Sequence, residues 1–313
     1  MPGDHPRVPV LGQLPPRDLI RKLRALGEND TALALELALI DTGQATPTTF
    51  SHEIRRPVEH RGWWHAAHLF GYFLPGSIRD PCFIHPAEGI APDVSLQGER
   101  VVIRLHDLRI SDYPAGEVHR VLFEFAALNH LRGDAELLRF NMTCRLREGD
   151  QAPIAGRPVF VGLTVGSEGL DFQCRTVKVA DPEDERFLGF LEAGPFLGGL
   201  RASSVRQPAA ALYADTAYHL TERIAAAERN TPVQAFQLGL GFGAGGVGAC
   251  LAEGSYVAVQ VPEGMRSGWY WEDWVYDPVR QRLVAADDPD EPIGFNYLVF
   301  SVSRSTGGAR KVS

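Results

Sequence analysis

The feature that most constrains the fold is a succession of short apolar runs that begins near residue 100 and continues almost to the end of the sequence. In the first run, Val101, Ile103 and Leu105 alternate with polar neighbours, and this period of two residues is typical of a half-buried strand. The later runs span residues 119–127, 137–146, 158–165, 170–179, 233–240, 255–261, 272–276, 282–285 and 295–303. Runs of this length, separated by turn-forming residues, favour a β-sandwich or a barrel.

The sequence therefore predicts a mainly β protein in which residues 97–305 form an antiparallel β-sandwich of C2-like or jelly-roll-like arrangement. The likeness concerns architecture alone and carries no function. The Gly-Ser-Glu-Gly stretch at residues 166–169 predicts a hairpin between two adjacent strands. Asp277 and Pro278 predict a turn between two later strands, because Pro is favoured directly after the first residue of a turn.

An N-terminal helical hairpin is predicted over residues 1–43. Apolar residues recur at helical spacing after Pro16, and Gly27 ends this first pattern. A second leucine-rich pattern follows and ends at Gly43. Because two short helices must bury their apolar stripe against something, they dock either on the body of the protein or on a partner. The hairpin is therefore a candidate docking element.

Composition assigns the segments outside these patterns. Residues 44–96 are rich in Pro, Gly and His and are expected to form a loop-rich connection packed on the main domain. Residues 208–230 begin with Pro and have an Ala-rich body, which predicts one long helix inserted between two groups of strands. Residues 306–313 are expected to form a disordered tail.

Composition and charge also exclude several functional classes. The chain has 313 residues, of which 44% are hydrophobic, an ordinary globular composition. The net charge is −8, from 31 Lys and Arg against 39 Asp and Glu, which argues against a general nucleic-acid binder. No run approaches the roughly 18 apolar residues of a membrane-spanning helix, and residues 1–12 lack a secretory signal, so we expect a cytoplasmic protein. The four cysteines are scattered and are expected to be free thiols.

The five tryptophans form two clusters, Trp63 with Trp64, and Trp269 and Trp271 with Trp274. Tryptophan buries a large area and is a frequent anchor in recognition sites, so the clusters predict either two parts of the core or two halves of one ligand-binding site. In a strand over residues 272–276, alternation places Trp269 and Trp271 on the same face as Asp273. We expect this face to be exposed and to bind ligand, and the first cluster to contribute to binding.

Three carboxylates beside the second tryptophan cluster suggest a hydrolase as an alternative. Glu272, Asp273 and Asp277 are of the type that performs acid and base catalysis in sugar-processing sites, where aromatic faces hold the rings. In a strand, Glu272 points to one face and the other two to the opposite face, so spacing alone brings no neighbouring pair together. No Gly-x-Ser-x-Gly motif occurs and no Cys is paired by spacing with a His, which argues against Ser and Cys hydrolases.

Two further alternatives involve a metal ion. His65 and His68 lie three residues apart and can share one face of a helical turn, an acceptable spacing for Zn²⁺, although no third ligand is fixed. Asp287, Asp288 and Asp290 form an acidic loop that can hold Ca²⁺ if a second acidic loop, for which residues 181–185 are available, contributes. The favoured interpretations are histidines that bond backbone groups and a solvated acidic turn, so no cofactor is expected.

A glycine-rich stretch at residues 239–248 invites comparison with phosphate-binding loops. Those loops bind anions because a helix follows at once and presents free backbone N–H groups. Here a Val-rich strand pattern follows, so the stretch predicts a connection between strands.

With no coherent catalytic set, the sequence favours a non-catalytic recognition or assembly module that binds a protein or a small ligand. The expected partner is a protein or a larger assembly, and neither nucleic acid nor a transmembrane segment is expected. The alternative is a hydrolase that uses either the three carboxylates or a metal held by the two histidines.

Overall fold

The structure, a computed structural model, describes residues 9–41, 67–75, 80–111, 113–114, 116–131, 134–152, 154, 156–193, 222–243 and 248–305. The chain is mainly β, with antiparallel sheets and few helices, and the predicted fold class is confirmed at this level. Within the described residues, no helix is long and apolar enough to cross a membrane. Trp63, Trp64 and His65, the tail 306–313 and most of the predicted helix 208–230 lie outside the described residues.

The described helices are α1 (Pro16–Ala25), α2 (Asn29–Asp41) and α3 (Pro182–Ala193), with 3₁₀ turns at Leu11–Gln13, Val94–Leu96, Glu263–Gly268 and Trp271–Asp273. The strands are β1 (Ala67–Phe73), β2 (Cys82–Phe83), β3 (His85–Pro86), β4 (Arg100–Arg109), β5 (Val118–Leu131), β6 (Asp134–Arg147), β7 (Arg157–Thr164), β8 (Gly169–Val179), β9 (Thr231–Gly241), β10 (Ala249–Cys250), β11 (Gly254–Val261), β12 (Trp274–Asp277), β13 (Arg282–Ala285) and β14 (Tyr297–Arg304).

These strands form three sheets. A six-stranded sheet has the order β3-β1-β11-β14-β4-β7, a five-stranded sheet the order β10-β9-β8-β5-β6, and a three-stranded sheet the order β13-β12-β2. The pairs are antiparallel apart from the short parallel pair of β9 and β10.

Two hydrophobic cores lie against opposite faces of the six-stranded sheet. The first unites it with the five-stranded sheet, and Phe125 and Phe172 of the latter meet Phe300 of the former with ring centroids 5.5 Å apart. The second core joins the other face to the three-stranded sheet. Because β11 runs through the middle of this arrangement, all eight of its residues are buried. A strand covered on both faces needs an almost continuous apolar run, which β11 has.

The connection at residues 166–169 differs from the prediction. The backbones of Gly166 and Gly169 exchange hydrogen bonds of 2.9 and 3.3 Å, so a tight turn does form. However, β7 pairs with β4, whereas β8 pairs with β5 and β9, so the turn carries the chain from one sheet to another. The predicted hairpin is therefore wrong. Its sequence signal describes the local turn and does not specify which sheet the next strand joins.

The segment 44–96 is also different from the prediction in its described part. Instead of a loop-rich connection, residues 67–86 supply three strands. Strand β1 lies inside the six-stranded sheet, between β3 and β11, and β2 belongs to the three-stranded sheet. Polar residues do not alternate along β1, so its pattern lacks the signal of a half-buried strand.

Helices pack against this β structure at two places. Leu19 and Leu23 of α1 are fully buried in the first core, and Lys22 donates a hydrogen bond of 2.7 Å to the carbonyl of Asn230. On the outer face of the five-stranded sheet, Leu188 of α3 and Ile224 of a helical stretch at residues 222–226 share a small apolar cluster with strand residues.

Candidate functional site

The stretch at residues 269–277 is only partly a strand. Trp271–Asp273 forms a 3₁₀ turn, and β12 begins at Trp274. The Asp273 carbonyl accepts a hydrogen bond of 2.8 Å from Ala286 N, which ties this turn to the residue after β13. The strand predicted for residues 272–276 is therefore wrong in its first half, and the face assignment that depended on it does not apply.

The tryptophans of this stretch lie largely in the second core. Trp271 is only 5% exposed and packs against Gly71, where an added Cβ would come within 2.9 Å of the indole. Trp269 stacks on Trp274 with ring centroids 5.8 Å apart and meets Trp271 edge-on at 5.5 Å. The expectation that the face of Trp269 and Trp271 is exposed is wrong for Trp271. Trp269 and Trp274 are partly exposed, and Tyr270 is 62% exposed.

Asp277, one of the three predicted carboxylates, is part of the turn after β12. Its Oδ1 accepts hydrogen bonds from the backbone of Val279 and Arg280 at 2.8 and 3.0 Å, and its Oδ2 accepts one from the Arg280 side chain at 3.1 Å. Burial alone would raise the pKa of Asp277, but these hydrogen bonds outweigh it and lower the pKa. The predicted turn is present, and both oxygens of this carboxylate are engaged in it.

Glu272 and Asp273 differ from Asp277 in their surroundings. Both are exposed on the 3₁₀ turn, whereas Asp277 is buried at the end of β12. The structure thus separates the three carboxylates by environment, and it does not place them as a matched acid and base around one enclosed site.

Of the two candidate zinc residues, His65 lies outside the described residues, and His68 is not on the helical turn that a shared zinc site would use. His68 lies on β1, where its ring packs against Phe236 with centroids 4.8 Å apart. The residue as a whole is partly exposed, but its Nε2 is enclosed and makes no hydrogen bond to the described residues. Burial lowers the pKa of His68 to about 3, so the ring is neutral at physiological pH.

The acidic loop is stabilised by contacts of its own. Asp290 N donates to Asp288 Oδ1 at 2.9 Å, and Asp290 forms an exposed ion pair with Arg280 at 3.0 Å. Asp287 and Asp288 are exposed. The second predicted acidic loop caps α3, because Asp181 Oδ1 accepts a hydrogen bond of 2.9 Å from Glu183 N. Across the part of the chain that the structure describes, no three His, Cys, Asp or Glu side chains are arranged to hold a metal.

A pocket of about 290 Å³ lies beside the three-stranded sheet. Its lining includes Tyr72, Leu74, Asp80, Cys82, Phe83 and His85. Phe83 of β2 lies opposite Val275 of β12, so the pocket adjoins the stretch that contains the tryptophans. Leu74 and Phe83 are 65% and 68% exposed.

Rigid elements hold the walls of this pocket. The Tyr72 hydroxyl donates a hydrogen bond of 2.6 Å to the carbonyl of Glu253, and Cys82 of β2 is buried. The pocket was not predicted, because β1 and β2 come from the segment expected to be loop-rich. The exposed Leu74 and Phe83 carry no sequence signal that separates them from core residues.

Sequence reasoning also missed several buried ionisable residues. Asp107 is 1% exposed, and burial raises its pKa to about 6, because hydrogen bonds from Tyr297 and Gln151 only partly offset the loss of water. Burial lowers the pKa of Lys178 to about 8 and that of His119 to about 4. In an alternating strand such charged residues indicate the solvent side, and only the added layers of structure bury them.

Comparisons with family models, with curated proteins and with solved structures find no match to this chain.

Proposed function

We propose that the protein is a non-catalytic recognition module that binds an apolar segment of a protein partner at the pocket beside β2. The exposed side chains of Leu74 and Phe83 on the lining of one pocket carry this proposal. Single exposed apolar residues are normal on a protein surface, but apolar residues grouped around a concave site are typical of an interaction site.

The packing around the pocket supports this function. Phe83 is held by pairing of β2 with β12, and β12 is held in turn by the tryptophan cluster and by β13. A recognition surface on fixed strands loses little conformational entropy on binding. In this proposal the two larger sheets form the predicted sandwich, the three-stranded sheet is an added layer, and the buried tryptophans position the site without touching the partner.

The N-terminal helices remain a second candidate for docking. Leu19 and Leu23 are buried against the body of the protein, which uses the apolar face of α1 internally. On α2, Leu33 and Leu37 are 52% and 55% exposed. The pocket beside β2 is preferred because it is concave.

The hydrolase alternative stays a prediction without a supporting contact. Asp277 is committed to its turn by hydrogen bonds to both oxygens, and His65, the proposed partner of His68 at a metal, lies outside the described residues.

Selection from a displayed library of random 12-residue peptides on the immobilised protein tests the proposal. We expect enrichment of peptides with one or two large apolar residues, and we expect Phe83→Thr to weaken their binding tenfold or more, since an anchor contact is typically worth above ~1.4 kcal/mol. Threonine retains β propensity, so the strand is preserved. Val161→Thr is the matched control, because Val161 is 56% exposed on β7 of the six-stranded sheet.

Both variants must melt within a few degrees of the unmodified protein for the comparison to be valid. Failure to enrich any peptide, or enriched peptides that bind Phe83→Thr and Val161→Thr equally well, would show that the pocket is not the recognition site.

A further inference from the structure

A buried carboxylate links the three-stranded sheet to the six-stranded sheet. Asp107 Oδ2 accepts a hydrogen bond of 2.9 Å from Gln151 Nε2. The same amide group donates to the carbonyl of Gln281, in the turn between β12 and β13. Asp107 is also hydrogen-bonded to the hydroxyl of Tyr297, and that hydroxyl oxygen accepts a bond of 3.2 Å from Leu283 N of β13. Two short chains of hydrogen bonds thus connect this carboxylate to the three-stranded sheet.

The three-stranded sheet is also what keeps water from Asp107. Asp107 lies on β4 opposite Val299, which belongs to the second core, so both residues face that sheet. Tyr276 of β12 lies close enough for the Asp107 charge to raise the tyrosine pKa, after the larger effect of its own burial. If β12 and β13 move away, the carboxylate gains access to water.

We propose that Asp107 is a proton-operated latch: its protonated form favours the closed packing of the three-stranded sheet, and its ionised form favours loosening of that sheet. The physical reason is the difference in hydration between the two forms. A protonated carboxyl loses little on burial, whereas a carboxylate is stabilised by water that only the loosened arrangement admits.

The sign of the pH effect follows from linkage. Burial raises the pKa of Asp107 from 3.8 to about 6. A carboxyl whose pKa is higher in the closed state stabilises that state fully at low pH, and this contribution is lost as the pH rises towards the closed-state pKa. The three-stranded sheet is therefore held most tightly under mildly acidic conditions and more loosely near neutrality.

The other groups that face Asp107 do not provide an alternative switch. Arg109 lies on the same strand, Tyr297 on β14 and Tyr276 on β12. On β13, Arg282 donates a hydrogen bond of 3.2 Å to the carbonyl of Pro289 in the adjacent loop. Arginine and tyrosine side chains do not change charge between pH 4 and pH 7 under ordinary conditions, and burial raises the pKa of both tyrosines further. Asp107 is thus the group of this set that titrates there.

Hydrogen–deuterium exchange of the whole protein between pH 4.5 and pH 7.5 tests the latch. After correction for the intrinsic pH dependence of exchange, protection of amides in β12 and β13 should fall roughly 20- to 30-fold, as two protonation states separated by about two pKa units require. Amides of β9, in the five-stranded sheet, should show no such change. Asp107→Asn should abolish the change, and Asp171→Asn, which alters an exposed carboxyl on β8, should retain it.

Gln151→Met provides a second test that does not depend on the folding of Asp107→Asn. Gln151 is partly exposed, and its loss removes a hydrogen bond that stabilises the carboxylate, so the midpoint of the change should move to higher pH. Protection that is independent of pH in the unmodified protein, or a dependence that persists in Asp107→Asn, would overturn the latch, as would an unmoved midpoint in Gln151→Met. These measurements use the free protein, so the latch and the proposed partner can fail separately.

Discussion

At the residue scale, side chains of the same type differ here because their surroundings differ. Asp277 and Asp107 both lie on strands, yet the pKa of the first is lowered by backbone and Arg280 hydrogen bonds that outweigh burial, whereas burial dominates for the second. Tyr270 and Trp271 are neighbours, and the first is exposed while the second is buried. The sequence singled out this stretch but could not assign these environments, because they depend on strands far away in the chain.

A glycine provides the clearest prediction at this scale. Gly169 has a φ of +122°, and an added Cβ would lie 1.9 Å from the carbonyl oxygen of Leu240. Gly169→Ala should therefore lower the free energy of unfolding by about 3 kcal/mol, since it combines an unfavourable backbone conformation with a clash against backbone.

Urea denaturation of the variant, compared with that of Gly264→Ala, provides the check. A Cβ added at Gly264 would meet no atom within 4 Å, so its substitution should change stability by less than about 0.5 kcal/mol. Equal effects of the two substitutions would mean that the turn at residues 166–169 adjusts freely.

At the element scale, the sequence predicted where strands lie better than it predicted how they pair. Residues 119–127 and 233–240 fall inside β5 and β9, because a run of β-forming residues between turn signals is a local property. Pairing is a long-range property, so the turn at 166–169 was wrongly taken for a hairpin. The runs at 272–276 and 282–285 overlap β12 and β13, but their membership of a third sheet was not predicted, because their partner β2 has two residues and is too short for a periodic signal.

An ion-pair network tests how the helical stretch at residues 222–226 is joined to its sheet. Glu124, only 4% exposed, accepts hydrogen bonds from Arg139 at 2.5 Å and from Arg175 at 2.6 Å, and Arg175 also pairs with Glu222 at 2.8 Å. Arg175→Met should destabilise the protein by about 3 kcal/mol, because it leaves the buried carboxylate of Glu124 with only one of its two arginine partners. Chemical denaturation measures the change.

The matched control for this prediction is an exposed pair. Asp290→Asn removes the ion pair with Arg280, in which Asp290 is 81% exposed, and should alter stability by less than about 0.5 kcal/mol. If the two variants lose similar amounts of stability, burial of Glu124 is not what makes the network important.

At the scale of the whole molecule, the six-stranded sheet is covered on both faces, and its central strand β11 is therefore buried along its whole length. The same layering encloses ionisable groups on both sides of the sheet system. Burial lowers the pKa of His68 to about 3 and, together with the charge of Lys178, that of His119 to about 4, while it raises that of Asp107 to about 6. Because the pKa values of these groups differ between the folded and unfolded states, the free energy of unfolding depends on pH.

Between pH 4.5 and pH 6, each histidine is neutral in the folded protein and charged in the unfolded chain, so each makes stability rise with pH. Asp107 is protonated in the folded protein and ionised in the unfolded chain over the same range, and it makes stability fall. The unfolded chain therefore binds two more protons at the histidines and one fewer at Asp107 than the folded protein does. The free energy of unfolding then rises by about 1.4 kcal/mol per pH unit from these three residues together.

Substitutions separate the contributions of the three residues. Subtracting the unfolding free energy of a variant from that of the unmodified protein at each pH removes the contributions of all groups that the two proteins share. Asp107→Asn should steepen the rise in unfolding free energy by about 1.4 kcal/mol per pH unit, and His68→Leu should flatten it by the same amount. Urea titrations at several pH values from 4.5 to 7.5 measure these slopes, and above pH 7 the three profiles should run parallel. A profile for Asp107→Asn parallel to that of the unmodified protein below pH 6 would mean that Asp107 is already ionised in the folded state. Hydrogen bonds from Tyr297, Gln151 and the Leu108 backbone, with the charge of Arg109, would then have to offset the burial of its carboxyl completely.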